Sequence, residues 1–217
     1  MRFARPLLDL LLPMACVVCK GARGPVCKTC DDQLEFAPRI VSRHSLSGIA
    51  AVDYSPLAAS LISAFKENGH TTLGSGFGRL MQLAIEQVTT STRPSSNTIL
   101  VPVPSHPESV RGFSPAEVLA RNLAPRLGVP WLRGLNMQPN VSDQAGLKAE
   151  SRARNLVGTM TAKPWMSNRE VWIVDDLVTT GATIREAARA LGEVGCVVTG
   201  FVAFAETLRK SDTHLSK

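Results

Sequence analysis

Two adjacent acids, Asp175 and Asp176, follow an apolar run of Val171, Trp172, Ile173 and Val174. After Leu177 and Val178 comes a small, hydroxyl-rich turn of Thr179, Thr180, Gly181, Ala182 and Thr183. A helical pattern opens next, with Ile184, Ala187, Ala188, Leu191 and Val194 on one face. The layout is a strand, an acidic pair at its carboxyl end, and a turn feeding a helix N-terminus. Such a turn is an anion site, because the first amides of a helix have no partner within it and the helix dipole is positive there. The threonine hydroxyls add donors, and glycine lets the backbone approach a phosphate closely. The two carboxylates can accept hydrogen bonds from a sugar diol or hold the waters of Mg²⁺. The plainer alternative is a buried strand whose aspartates merely cap the turn.

Val171 to Thr183 resembles the phosphoribosyl-pyrophosphate (PRPP) signature of type I phosphoribosyltransferases. The resemblance implies that Asp175 and Asp176 meet the ribose hydroxyls and that the Thr179–Thr183 turn holds the 5′-phosphate. It identifies a donor site and leaves the acceptor open.

A second cluster has a different chemistry. Cys16 and Cys19, then Cys27 and Cys30, form two CxxC pairs separated by seven residues. Each pair can turn two sulfurs toward one ion, and two pairs complete a tetrahedral S₄ site. Two disulfides or a redox CxxC are the competing readings. In a cytosolic chain the paired spacing favours Zn²⁺, and four thiolates make a closed, structural site. Cys196 opens an apolar strand and reads as a small buried hydrophobe.

The elements that must position these groups can be read by periodicity. Gly48 to Tyr54 resembles a strand; Ser55 to Gly69 carries a helix with Leu57, Leu61, Ile62 and Phe65 on one face, ended by Lys66. Gly76 to Val88 is a second helix, and residues 89–97 form a polar loop. Thr98 to Val101 is a strand stopped by Pro102 and Pro104. Ser114, Pro115 and Glu117 read as an N-cap, a first-turn proline and a capping-box acid, and Pro125 is expected to kink or end that helix before Gly128. Residues 140–170 are long and polar, as expected of a lid or binding loop. Strands alternating with helices predict an α/β fold with a parallel sheet. Ile40 to Gly48 reads as a boundary between a small module, residues 1–40, and the main domain, residues 41–217.

The chain has 217 residues and 44% apolar content, enough for a substantial core. No apolar run reaches the ~18 residues of a membrane span. Asp9 and Pro13 interrupt the N-terminal apolar stretch, so Leu7, Leu8, Leu11 and Leu12 read as a short amphipathic helix instead of an export signal. A cytoplasmic location is the expectation. The net charge of +6 suits phosphorylated ligands and permits nucleic-acid contact, but no basic run with interleaved aromatics marks a dedicated nucleic-acid module.

Taken in order, the CxxC pairs, the Ser55–Gly69 helix ending in lysine, Val101-Pro102-Val103-Pro104, Arg111-Gly112-Phe113, Gln144 with Arg152, Arg154 and Asn155, and the Val171–Thr183 segment resemble the ComF family (ComF/GntX-type). The resemblance implies the type I phosphoribosyltransferase fold, a central parallel sheet with flanking helices and a hood loop, plus a small N-terminal Cys₄ zinc module. It implies a pyrophosphate loop at Val103, Pro104, Ser105 and His106, and a mobile hood with Gln144, Arg152 and Arg154. Mg²⁺ would accompany PRPP, with Arg111 and Arg152 neutralising the pyrophosphate. His106 is the nearest candidate for a general base. The family usually has RGFNQ where this chain has Arg111-Gly112-Phe113-Ser114-Pro115, so the amide side chain of that position is missing. ComF proteins are associated with uptake of transforming DNA, which implies single-stranded DNA and competence-machinery proteins as partners. The other expectation is an active enzyme moving phosphoribosyl from PRPP to an amine or nucleobase.

Overall fold

A computed structural model describes residues 15–21, 24–88, 97–105, 112–138 and 156–207. Along the chain these form α1 (Lys28–Gln33), β1 (Arg39–Arg43), β2 (Leu46–Asp53), α2 (Pro56–Lys66), α3 (Leu73–Val88), β3 (Thr98–Pro102), α4 (Pro115–Leu127), β4 (Leu135–Met137), β5 (Met160–Ala162), β6 (Glu170–Val178), α5 (Ala182–Glu193) and β7 (Val197–Glu206). Five strands make the main sheet in the order β1-β2-β7-β6-β3, and β4 and β5 form a separate antiparallel pair. Every neighbouring pair in the main sheet is parallel except the β1–β2 hairpin.

Ser55 caps α2, its hydroxyl accepting from the Ala58 amide at 3.2 Å, with Pro56 at the first turn. Leu61, Ile62 and Phe65 of α2 are buried as their spacing predicts. Gly74 and Gly78 bring α3 against α4: a Cβ on Gly74 would fall 2.5 Å from Val118 Cγ1, and one on Gly78 3.0 Å from Asn122 Cβ. One core cluster joins α2, α3 and α4 to one sheet face through residues such as Phe65, Phe77 and Phe204. A second joins α5 and the β4–β5 pair to the opposite face through Ile173, Ile184, Met160 and Leu191.

Several local expectations give way to context. Ile40 to Arg43 belong to a strand the periodicity does not show: Arg39–Arg43 pairs with β2 as the sheet's antiparallel edge. The Ser114 side chain makes no cap bond and its hydroxyl is buried without a partner, while Glu117 is drawn to Arg133 at 2.6 Å in place of a capping box. The helix end does follow expectation: α4 stops at Leu127, before Gly128, which is left-handed at φ 69. Pro125 sits in the last turn, where its missing amide removes a single bond. The long polar stretch 140–170 contains β5 and a 3₁₀ turn at Pro164–Met166. The N-terminal amphipathic helix and the 89–96 loop lie outside the described residues.

Candidate functional site

Helices leaving adjacent strands go to opposite sheet faces: α4 follows β3 on one side and α5 follows β6 on the other. A crevice must open where those two strands end, and open α/β sheets place ligands there. A cleft of ≈ 220 Å³ occupies that position. Its walls are Val103, Pro104 and Ser105 after β3, Pro115 and Ala116 at the start of α4, Asp175, Asp176 and Leu177 of β6, and Thr183 at the start of α5. Lys66, at the last turn of α2, closes the remaining side.

The acids are strand residues and not turn residues. β6 continues to Val178 because its pairing with β7 runs on through Asp175, Leu177 and Val178. Both acids line the cleft, and they differ in their partners. Asp176 is buried and its Oδ1 lies 2.8 Å from Lys66 Nζ, while its Oδ2 is buried with no hydrogen-bond partner. Asp175 Oδ1 accepts from the Asp176 amide at 2.9 Å. Burial pushes the Asp175 carboxyl well above the usual carboxylate range; the Asp176 charge adds to this and Lys66 opposes it.

Beyond β6, Gly181 takes φ 81 to start α5, and the Thr180 hydroxyl accepts from the Ala182 amide at 3.3 Å. Val178 and Ala182 are buried, whereas Thr179 and Thr180 stand exposed on the turn. Phe113 packs edge-on against Phe65 at 6.1 Å, tying the approach to α4 onto α2. Arg111, His106, Gln144, Arg152 and Arg154 lie outside the described residues, as does Arg23. The stem of the expected hood is described: the Met160 amide donates to Glu186 Oε1 at 3.0 Å, and Arg189 donates to the Met160 carbonyl at 2.8 Å. Burial alone would raise the Glu186 carboxyl, but Arg189 and the Met160 amide outweigh it and hold it below its ordinary value.

The four cysteines of the CxxC pairs converge, all four sulfurs lying within 4.8 Å of one another. Four sulfurs at ~2.3 Å from one ion stand about 3.8 Å apart. Cys19 Sγ and Cys27 Sγ are 3.7 Å apart, so the cluster could hold a metal ion of that kind. Burial disfavours the Cys16 thiolate, yet the amides of Cys19, Cys27 and Val18 outweigh it and its pKa is lowered. Burial and neighbouring thiols push Cys30 up to about 12. The cluster packs on Leu57 of α2, and nearby Val17 and Leu34 enter the main core. Cys196 is buried and its thiol donates to the Met166 carbonyl at 3.1 Å.

Lys66 is legible in the sequence as the end of a helix face and as part of the family resemblance, but its pairing with Asp176 is not. The buried Arg43 and Glu206 carry no sequence signal, because their partner lies across the sheet.

A sequence model described as the phosphoribosyl transferase domain matches residues 81–215. The chain belongs to that family. Its fold is the type I phosphoribosyltransferase fold, with a mostly parallel central sheet and flanking helices. The matched span holds the acid pair, the threonine turn and the loop after β3; Lys66, Arg43 and the four clustered cysteines lie before it. DNA utilization protein YhgH of Shigella flexneri is 28% identical over 163 residues, covering 74% of this chain and 72% of that protein. Competence protein F of Haemophilus influenzae is 28% identical over 141 residues, 62% of each. These two relatives bear out the ComF-type resemblance. Among solved structures, glutamine PRPP amidotransferase from B. subtilis aligns with 18% identity and a TM-score of 0.39, over 63% of this chain and 26% of that enzyme. This chain therefore spans about a quarter of the amidotransferase's length. Among the described residues no helix is long and apolar enough to cross a membrane.

Proposed function

We propose that the cleft binds PRPP with Mg²⁺ and that the protein serves the handling of transforming single-stranded DNA in the cytoplasm. The observation that carries the ligand reading is Asp176 Oδ2, a buried acceptor without a partner, on a cleft whose opposite side is a helix N-terminus. A buried, unpaired carboxylate oxygen is costly, and a sugar hydroxyl or a hydrated cation would satisfy it. Asp175 and Asp176 would hold the ribose diol or the waters of Mg²⁺, and Mg²⁺ would supply charge neutralisation for the pyrophosphate. The Thr179–Thr183 turn would take the 5′-phosphate at the start of α5. Val103, Pro104, Ser105 and His106 would border the pyrophosphate, with Arg111 and Arg152 as its cationic partners. Zn²⁺ would be held by Cys16, Cys19, Cys27 and Cys30 as a structural ion, making residues 1–40 a module docked on the main domain.

The DNA role rests on the printed names of the two bacterial relatives, DNA utilization protein and Competence protein F. The family name favours a second reading, transfer of phosphoribosyl to an amine or nucleobase. Catalysis would then come from positioning and charge stabilisation of an oxocarbenium-like state. Calorimetry with PRPP and Mg²⁺ tests the binding site. The double variant Asp175→Ala/Asp176→Ala should bind at least ~10-fold more weakly, and unchanged affinity would place the ligand elsewhere. Pyrophosphate release with candidate acceptors separates turnover from binding alone.

A further inference from the structure

We infer that Arg43, on the edge hairpin, is a positioning residue for the phosphate turn and makes that hairpin part of the ligand site. The inference deepens the reading of the cleft as a PRPP site and rests on it. Arg43 is only 3% exposed, an unusual state for arginine at the edge of a sheet. Its guanidinium is divided among several acceptors. Nε donates to the Thr179 carbonyl at 2.9 Å, Nη2 to Glu206 Oε2 at 2.7 Å and to the Thr207 carbonyl at 3.2 Å, and Nη1 to the Ser42 carbonyl at 3.1 Å. Glu206 ends β7 and lies in register beside Val178, the last residue of β6. One side chain therefore fastens the end of β7 and the first residue of the turn.

The stem of Arg43 completes the arrangement. A Cβ on Gly181 would fall 2.6 Å from Arg43 Cβ and 2.9 Å from its Cγ. Glycine at that position thus serves two needs, the left-handed φ of 81 and the close approach of the arginine. The turn between Thr179 and Gly181 is gripped from behind, by a hydrogen bond at one end and by packing at the other. Donors fixed before a ligand arrives lose less conformational freedom on binding, so the grip should appear as affinity for a phosphate. Glu206 offsets the Arg43 charge, so the contribution comes from geometry and not from long-range attraction.

The test replaces Arg43 with methionine, which keeps an unbranched stem and leaves Glu206 paired with Arg39. The full chain, labelled with ¹⁵N, is titrated with ribose 5-phosphate while the amide signals of Thr180 to Thr183 are followed, and separately with Mg²⁺-pyrophosphate. The expected result is ribose 5-phosphate affinity weaker by about 10-fold, with pyrophosphate affinity within about two-fold of the parent. Unchanged ribose 5-phosphate affinity, or an equal loss for both ligands, overturns the inference. If Arg43→Met does not fold, Arg43→Lys carries the same test, since one ammonium on a flexible stem cannot reproduce the forked contacts to Glu206 and Thr179. The parent protein reports on the underlying reading: turn amides that ignore ribose 5-phosphate overturn the PRPP site itself, and this inference with it.

Discussion

The Lys66 ammonium lies 2.8 Å from Oδ1 of Asp176, while Oδ2 of the same carboxylate is buried without a partner. Lys66 therefore holds one oxygen, and the other is the acceptor assigned to the proposed ligand. It also supplies the positive charge that lets two consecutive acids share one strand end. Replacing it with methionine strands a buried carboxylate beside a second one. Lys66→Met should lower stability by about 1–2 kcal/mol, less than for a fully buried pair because the lysine is partly exposed. PRPP affinity at neutral pH should fall by about 10-fold. Thermal unfolding and calorimetry check the two effects; a variant that matches the parent in both would show the pair to be incidental.

Asp175 gives a pH dependence of definite sign. Its carboxyl is raised well above 3.8, first by burial and then by the Asp176 charge. A carboxyl raised on folding binds its proton more tightly in the folded state. The stability it contributes is fully present below 3.8 and is lost as pH rises through the folded pKa. A diol or hydrated Mg²⁺ needs the ionised form, so ligand binding should strengthen across that same rise and release a proton. Calorimetry in two buffers of different ionisation enthalpy measures the released proton at mildly acidic pH. Asp175→Asn should abolish it; a parent protein that releases none contradicts the assignment.

The cysteine cluster should bind about one Zn²⁺ per chain. Because Cys30 is held up to about 12 without a cation, metal binding must displace its proton, and acidification should expel the metal. Cys16→Ser or Cys27→Ser should lower folding yield, since Leu57 packs against both the cluster and the main core. Metal removal should then weaken PRPP binding as well, through the α2 helix that carries Lys66. Elemental analysis of protein purified without chelator is the check, and an absence of metal there ends the idea.

Single-stranded DNA, if it binds, should do so independently of sequence and with steep salt dependence, a log–log slope of ~−0.7 per phosphate neutralised. Lys20, Arg23 and Lys28 of the cysteine module, with Arg152 and Arg154, are the proposed contacts. Lys20 already donates to the Val17 carbonyl at 2.9 Å and Lys28 pairs with Asp32, and each ammonium keeps further donors for a phosphate. Reversing charge at Lys20, Arg23 and Lys28 should weaken DNA binding and leave PRPP affinity unchanged. Binding that survives the reversal would clear the module of any such role.

Periodicity and spacing made much of this protein legible in the sequence. Leu61, Ile62 and Phe65 bury as a helical stripe predicts, and two CxxC pairs converge because each sets its own turn. The step from β6 into the Thr179–Thr183 turn and α5 is likewise local, since apolar strand, glycine and helix face are contiguous in the chain. Local signals failed where a tertiary partner offered more. Glu117 pairs with Arg133 in place of a capping box, and the Ser114 hydroxyl is buried without making the cap bond. The Arg39–Arg43 strand carries no local signal because an edge strand needs no apolar run on its open side. The decisive contacts of the site were settled only by the sheet. Lys66 meets Asp176, Arg43 meets Thr179 and Glu186 meets Met160 across long stretches of chain. Each depends on the strand order and on which face each helix takes, and no residue pattern within a single element encodes either one.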